Sequence, residues 1–382
     1  MAKKTKKKLN IFFKILLIIN VLFVLLLLLS FSASFINPKD FWPSSFAGIL
    51  YPHFLFINIA FVILWVFVKL RLTLVSLLPV LIGYSYIGSF VQFNSGISEQ
   101  GKRDFFKIMS YNVHNFDLYN YKKNWQLSFE KRNEIFSFLE KEQPDILCFQ
   151  EFVNDRKNNF KTIDTLITFL KAKNAHAEYS VVSRNTNEFG LATFSSFPIV
   201  NKGVIKFKNS RTNFCIFTDI LKGKDTLRVY NAHFQSLHLS NNDIEFADKI
   251  ASGTTEGNND EIKDKSMHIL RFMKRAFIKR AAQVEIVATH IKKCPYPVLL
   301  CTDLNDTPFS FAYHQFTALL SDAFREAGFG LGSTYSKIYP SFRIDYIFIS
   351  YNYQAANFKV EKSDYSDHYP ISCFVSRKKN NP

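Results

Sequence analysis

Pro144-Asp145-Ile146-Leu147-Cys148-Phe149-Gln150-Glu151 is a short apolar run with a proline before it and two polar residues closing it. Its length and composition suit a strand buried on both faces, which belongs inside a sheet covered by other layers. The polar end carries the chemistry. Strand pairing would hold the Glu151 carboxylate on rigid backbone at the rim of a core.

Working outward, the same pattern recurs. Residues 105–112 read as a strand ending on Asn112, and 226–233 as one ending in Asn231-Ala-His233. Residues 297–303 lead into Asp303-Leu-Asn305, 344–350 contain Asp345, and Ser366-Asp367-His368 precedes a strand at 370–375. Further strands are expected at 179–183, 190–195 and 213–220. Helices are expected at 130–142, with Ile135, Phe138 and Leu139 on one face, and at 162–173, with Ile163, Leu166, Ile167 and Leu170. A polar stretch, 239–265, reads as a long loop before a helix at 266–292 whose apolar seam includes Leu270, Phe277, Val284 and Ile291. Strands interleaved with a few helices, without a solenoid or propeller repeat, predict a layered α/β or α+β fold.

If these strand ends converge, they form a hard-cation site. Oxygen donors such as Glu151, Asp303, Asn305 and Asp367 suit magnesium or manganese, which bind through a few carboxylates and substrate phosphate oxygens. The sequence has no HExxH and no paired CxxC, so zinc has little support. His233 and His368 can change protonation near neutral pH, and Asp345 can orient His368 and raise its basicity. Such parts fit phosphoester hydrolysis, with a metal on the phosphate, an oriented water and an acid or cation at the leaving oxygen.

The ordered series Ser110-Tyr-Asn112, Asp145-Ile-Leu-Cys-Phe-Gln-Glu151, Asn231-Ala-His233, Thr302-Asp-Leu-Asn305, Arg343-Ile-Asp345-Tyr-Ile and Ser366-Asp-His368-Tyr-Pro resembles the endonuclease/exonuclease/phosphatase superfamily. Phe189-Gly190-Leu-Ala-Thr-Phe-Ser195-Ser-Phe-Pro-Ile is similar to that group's central strand and turn. The resemblance implies a four-layer αββα sandwich of the DNase-I-like type over residues 105–377. It also implies Mg2+, with Mn2+ as the substitute, bound by Glu151 with Asn112 and Asp367. Asp303 and Asn305 would position or deprotonate the attacking water. His368, paired with Asp345, would polarise the scissile phosphate, and His233 would stabilise the transferring phosphate or assist the leaving group. Asn231, Asn305 and His368 would contact substrate. Which residue is the base stays open. One position departs from the pattern: Thr302 stands where the group has glycine.

Plainer readings apply to single residues. A lone Asp or Asn at a strand end is usually a turn or cap residue. His114, Asn115, Asp117 and His238 could line a cleft or belong to loops. His176, His268, His290 and His314 read as ordinary surface or helix residues. Arg271, Arg275 and Lys279 share a helix face, which reads as a solvated stripe rather than a phosphate-facing one. Four of the five cysteines fall in strand patterns, where a buried free thiol is the default.

The first hundred residues differ in kind. They hold nine Lys/Arg against two Asp/Glu, leaving +9 of the chain's +16 for the remaining 282 residues. A basic tail, 1–9, precedes an uncharged run at 15–38. Two more apolar stretches follow in a membrane segment covering 10–97. Spans are expected at 15–36, 50–68 and 72–93, with 98–104 as linker. The basic tail and the Lys69/Arg71 turn place the N-terminus in the cytoplasm and the catalytic part outside it. A rival reading makes the first run a signal peptide with Ser32-Ala33-Ser34 as its cleavage zone, and ends on the same side. A re-entrant third stretch would put the domain in the cytoplasm.

The expected function is thus a membrane-anchored, divalent-metal-dependent phosphoesterase cleaving a phosphodiester outside the cytoplasm. Its partners are a phosphate-ester substrate and the bilayer; no protein partner is inferable. A lipid-headgroup or sugar-phosphate enzyme is the alternative to a nuclease, and a non-catalytic binding module the third reading. The +9 favours polyanions but also suits an anionic membrane surface, so charge does not choose between substrates.

Overall fold

A computed structural model describes residues 10–94, 96, 104–118, 128–155, 161–183, 187–237, 242, 246, 249–250, 258–337 and 342–378. The basic tail 1–9, most of the linker 98–104, His238 and most of the stretch 239–257 lie outside the described residues. The chain divides into a helical unit ending at Gly88 and a sheet-rich unit beginning at Ser89.

The helical unit comprises α1 (Ile11–Ser32), α2 (Pro38–Phe41), α3 (Pro43–Ile49), α4 (Tyr51–Val68), α5 (Thr73–Ile82) and α6 (Tyr84–Ile87). Among the described residues, α1 and α4 are the helices long and apolar enough to cross a membrane, at mean hydropathies of 3.0 and 2.0. Their apolar side chains point outward: Ile18, Leu25, Phe56 and Phe67 are exposed, an arrangement water penalises and lipid does not. The stretch expected as a third span, 72–93, is broken. Gly83 separates α5 from α6, and Val91–Phe93 is already strand (β1). The glycine has a steric reason, because a Cβ there would lie 2.5 Å from the Phe31 ring. Inside the unit, Asn20, Asn58, Trp65 and Ser76 are fully buried and hydrogen-bonded to one another.

In the second unit the strands are β2 (Phe106–Asn112), β3 (Ile146–Asp155), β4 (Asn174–Ser183), β5 (Asn187–Ser195), β6 (Ile199–Lys206), β7 (Phe214–Lys222) and β8 (Asp225–His233). After them come β9 (Val298–Asp303), β10 (Ser321–Asp322), β11 (Phe329–Leu331), β12 (Asp345–Ile349), β13 (Tyr353–Val360) and β14 (Ile371–Arg377). Two six-stranded sheets form, ordered β10-β12-β9-β8-β7-β6 and β13-β14-β2-β3-β5-β4, while β1 pairs β11 in a separate ribbon. Ile108, Ile146, Cys148, Val229, Leu299, Cys301 and Cys373 interleave between the two sheets. The outer faces are covered by helices α7 (Glu130–Glu142), α8 (Thr162–Phe169), α9 (Asn259–Lys292) and α10 (Phe311–Thr317), while the short α11 (Ala323–Ala327) adds Ala323, Phe324 and Ala327 to the intersheet cluster. Ile135, Leu139 and Leu166 pack on one sheet, and Val284, Val287 and Ile291 on the other. Each such buried side chain contributes about 1.5–3 kcal/mol. This is the four-layer αββα arrangement. All five cysteines are free, and four of them are buried.

Local chemistry explains the boundaries. Helix α7 stops where Gln143 takes a left-handed φ of 42° ahead of Pro144. Helix α9 begins at Asn259 rather than 266, because the Asn258 side chain caps the Glu261 N–H at 2.8 Å and Asp260 and Glu261 sit in its first turn. The polar composition of that turn reads as loop unless the cap is recognised. Strands β6 and β13 are missed by alternation because half-exposed positions interrupt their apolar pattern.

The site is positioned by two parallel pairs. Helix α7 returns the chain so that β3 lies parallel to β2, and α9 does the same for β9 beside β8. Register then sets Asn112 opposite Gln150, His233 opposite Asp303, and Asp345 opposite Asp303. Ends that are far apart in sequence meet at one edge of both sheets.

Candidate active site

Strand β3 carries a bulge between Phe149 and Phe152, and Glu151 within it has a φ of 49°. A non-glycine residue in this conformation costs energy that the surrounding ladder must offset. The bulge turns the Glu151 carboxylate toward the opposite sheet. Asn112 bridges the sheets, its Nδ2 donating to Glu151 Oε1 at 3.2 Å and to Asp303 Oδ2 at 2.9 Å. His233 Nε2 lies 3.8 Å from Glu151 Oε1 and 3.6 Å from Asp303 Oδ2. His368 Nε2 is 3.8 Å from the same Asp303 oxygen, and its Nδ1 is 2.9 Å from Asp345 Oδ2. Asp303, buried, is the hub of two triads, Glu151–His233–Asp303 and Asp303–Asp345–His368.

The electrostatics follow from this crowding. Burial by itself favours a neutral His368 ring, but the charges of Asp345 and Asp303 outweigh it and push the imidazole up to about 10. Burial also raises the Asp345 carboxyl, against the opposing pull of His368. The proton therefore sits on the imidazole, and His368 is a cation at neutral pH whose Nε2 faces Asp303. Thr334 Oγ1 accepts the backbone N–H groups of Ile344 and Asp345, at 3.0 and 3.1 Å, and fixes Asp345.

Several expected site residues converge: Asn112, Glu151, His233, Asp303, Asp345 and His368. Asn305, at a left-handed φ of 56°, donates its backbone N–H to Asp303 Oδ1 at 3.0 Å, and its side-chain amide to the Phe234 carbonyl at 3.2 Å. Two residues have other work. Asn231, expected to bind substrate, is fully buried between the sheets. Its amide donates to the Phe149 and Ala192 carbonyls at 3.0 Å, and its oxygen accepts from Gln150 at 2.8 Å. It is a strut between the sheets, its amide held by two backbone carbonyls and its oxygen by the Gln150 side chain. Asp367, expected as a metal ligand, pairs with Lys337 at 2.9 Å and joins neither triad. Despite burial, the charges of His368, His114 and Lys337 hold its carboxyl below the usual carboxylate range.

Tyr335 went unrecognised in the sequence. Its ring meets His368 edge-on at 5.0 Å, and burial, with the charges of Asp367, Asp303 and Glu151, raises its hydroxyl pKa. It lies in a polar turn with no strand pattern to flag it, and reaches the site through an isolated bridge to His368. Thr302 is fully buried and its hydroxyl has no partner, the consequence of a side chain where the resemblance expects none.

The donor set fits a hard divalent cation. Glu151 and Asp303 offer carboxylate oxygens on rigid strand ends, and among the described residues the two triads bring together three carboxylates and two imidazoles.

A model described as the endonuclease/exonuclease/phosphatase family matches residues 109–368. A second, described as a domain of unknown function, matches residues 13–90. No curated protein matches. Among solved structures, an endonuclease/exonuclease/phosphatase from Beutenbergia cavernae is similar at a TM-score of 0.51 and 15% identity, covering 72% of each chain. A family protein from Bacteroides thetaiotaomicron gives 0.51 at 16% identity, over 72% of this chain and 98% of that one. The human Nocturnin catalytic domain, solved with a sulfate anion, gives 0.50 at 17%, over 72% and 95%. At these identities the likeness establishes the fold, while the family match spans more than half of the chain and runs from the strand before Asn112 to His368. The chain belongs to the endonuclease/exonuclease/phosphatase family.

Proposed function

We propose that the protein is a membrane-attached, divalent-metal-dependent phosphodiesterase. The observation that carries this reading is the convergence of Glu151, His233, Asp303, Asp345 and His368 from both sheets on one rim. Glu151 and Asp303 would hold the cation, with Asn112 fixing both carboxylates. A bound Mg2+ or Mn2+ supplies charge neutralisation at the phosphate. The protein's own groups do the rest. His368, held as a cation by Asp345, donates to a phosphate oxygen. Asp303, its Oδ1 fixed by the Asn305 N–H, orients the attacking water. His233, facing both carboxylates, stabilises the phosphate or protonates the leaving oxygen.

The outward apolar surface of α1 and α4 supports membrane attachment. We further propose that Leu70–Leu72, α5 and α6 complete a third crossing as a broken helix, which leaves the catalytic unit outside the cytoplasm. A C-terminal alkaline phosphatase fusion should be active; fluorescence of a cytoplasm-only reporter at that end would refute this topology.

The test of activity uses the full chain in detergent with Mg2+ or Mn2+, screened against oligonucleotides, phospholipids and sugar phosphates. Metal-dependent hydrolysis, abolished by EDTA and by Glu151→Gln or His368→Ala, is expected. Hydrolysis that both variants retain would overturn the site.

A further inference from the structure

We infer that a basic pocket beside His233 binds a second, non-scissile phosphate of a single-stranded polyanionic substrate. The inference rests on the phosphodiesterase reading above and extends it to the substrate. The pocket has a volume of about 340 Å³, and its lining includes Arg211, Thr212, Gln235, Phe272, Arg275 and Lys279, with no carboxylate among the described residues that line it. Arg211 comes from the turn between β6 and β7. Phe272, Arg275 and Lys279 recur at three- and four-residue spacing on α9 and so present one face. Arg275 and Lys279, two of the three residues that read from sequence as a solvated stripe, thus belong to one wall of a concavity whose other wall carries Arg211.

Backbone geometry ties this pocket to the catalytic rim. Asn213, another lining residue, immediately precedes Phe214, which lies opposite His233 in the β7–β8 register. Gln235 follows His233 by two positions. The Phe234 carbonyl between them accepts from Asn213 Nδ2 at 2.9 Å and from Asn305 Nδ2 at 3.2 Å, so one oxygen joins the pocket wall to the catalytic loop. Helix α9 is fastened to the same segment. Buried Arg280 donates to the Gln235 carbonyl at 2.8 Å and to Asp306 at 2.6 Å, and Gln283 accepts the Gln235 N–H at 2.9 Å. The cations on α9 are therefore held at a fixed distance from the reacting centre.

The chemistry indicates the ligand. Guanidinium and ammonium groups beside hydroxyl and amide donors recognise phosphate. Phe272, exposed within the pocket, adds a flat apolar surface for a base. Cations interleaved with an aromatic ring are how proteins track single-stranded nucleic acid without reading its sequence. A headgroup carrying two phosphates would use the cations alone.

The test compares an oligodeoxythymidylate with bis(p-nitrophenyl) phosphate, which carries one phosphate. In the full-length Arg275→Ala/Lys279→Ala protein, the ratio of kcat/KM on the oligonucleotide to that on the single diester should fall at least about tenfold, through KM. Arg211→Glu, from a different element and on the surface, should reproduce the fall; Phe272→Ala should produce a smaller one. A ratio within twofold of wild type in the double variant and in Arg211→Glu overturns the pocket. A fall seen only with a bisphosphorylated inositol headgroup overturns the strand assignment. Binding separates this inference from the phosphodiesterase reading. With labelled oligothymidylate and Glu151→Gln protein in EDTA, adding the pocket substitutions should weaken affinity about tenfold even if no substrate is turned over, and unchanged affinity refutes the pocket.

Discussion

Two clusters of buried polar side chains, one in each unit, are built on opposite principles. In the helical unit Trp65 Nε1 donates to Asn20 Oδ1 at 2.8 Å, Asn20 Nδ2 donates to Ser76 Oγ at 2.5 Å, and Ser76 Oγ donates to Asn58 Oδ1 at 3.0 Å. Asn58 Nδ2 ends the chain on the Phe54 and Phe23 carbonyls, at 2.8 and 3.1 Å. The cluster carries no formal charge, and the side-chain amides and the indole are partnered within it. At the catalytic rim, Glu151, Asp303 and Asp345 crowd around two imidazoles and one asparagine amide. A neutral network satisfied from within stabilises its fold; a cluster left with surplus charge awaits a ligand.

The largest contrast should appear on removing one member from the charged cluster. Glu151→Gln and Asp303→Asn are each expected to lower metal-dependent hydrolysis by about 10³-fold or more. Because each also relieves repulsion between neighbouring carboxylates, the metal-free thermal midpoint should hold or rise by about 2–4 °C. Calorimetry of the variants in EDTA reads the second half of this expectation. A midpoint falling by more than about 4 °C would mean that the carboxylates support the fold rather than the chemistry.

His176 lies between the two extremes. It was expected at the surface or on a helix, yet it sits buried in β4, with Nδ1 2.8 Å from Thr218 Oγ1 and Nε2 without a hydrogen bond. Burial first, and the Lys202 charge second, lower its pKa to about 4. Above pH ~6.5 the ring is neutral in both folded and unfolded chains. As pH falls from there toward 4, the unfolded chain takes up a proton that the folded one refuses, and stability is lost. The loss should be on the order of 2 kcal/mol, several degrees in the midpoint of a unit this size. His176→Gln, which retains a partner for Thr218, should flatten the fall in midpoint between pH 7 and 4.5 relative to wild type. Parallel curves would rule out His176 as its source.

The fates of Asn231, Asp367, His176 and Tyr335 mark what a sequence can disclose about such sites. Polar residues at strand ends were readable because an apolar run preceding a carboxylate is itself a local pattern, and parallel pairing brings those ends together. Whether an end faces the cleft or the space between sheets is set by register and bulges. Gly190 illustrates this: a Cβ there would lie 1.9 Å from the Glu178 carbonyl, so the glycine permits the close approach of β4 beside the bulge that turns Glu151. Asn231 and His233 share one strand two residues apart, yet the first reaches backbone carbonyls across the intersheet space and the second reaches the rim. Lys337, which pairs with Asp367, and Tyr335 both come from a turn without periodicity. The helical unit shows the same division. Hydropathy found α1 and α4, but the break at Gly83 depends on Phe31, half the unit away in sequence.

The smallest effect tests the neutral cluster itself. Ser76 is its relay, accepting from Asn20 and donating to Asn58, and both neighbours are fully buried. Ser76→Ala removes one acceptor and one donor and leaves Asn20 Nδ2 and Asn58 Oδ1 to find other partners. In a membrane the unfolded helices also find partners for such groups, so the cost should be about 1 kcal/mol rather than the several expected for a charged group. The helical unit's unfolding in detergent, followed by the loss of helical circular dichroism, should shift by that amount, with hydrolysis on the catalytic rim unchanged because no member of this network lies in the sheet-rich unit. Trp65→Phe, which deletes only the terminal donor, should cost less than Ser76→Ala. If the order reverses, ring packing rather than the hydrogen-bond relay holds these helices together, and the contrast with the charged cluster becomes one of packing against charge.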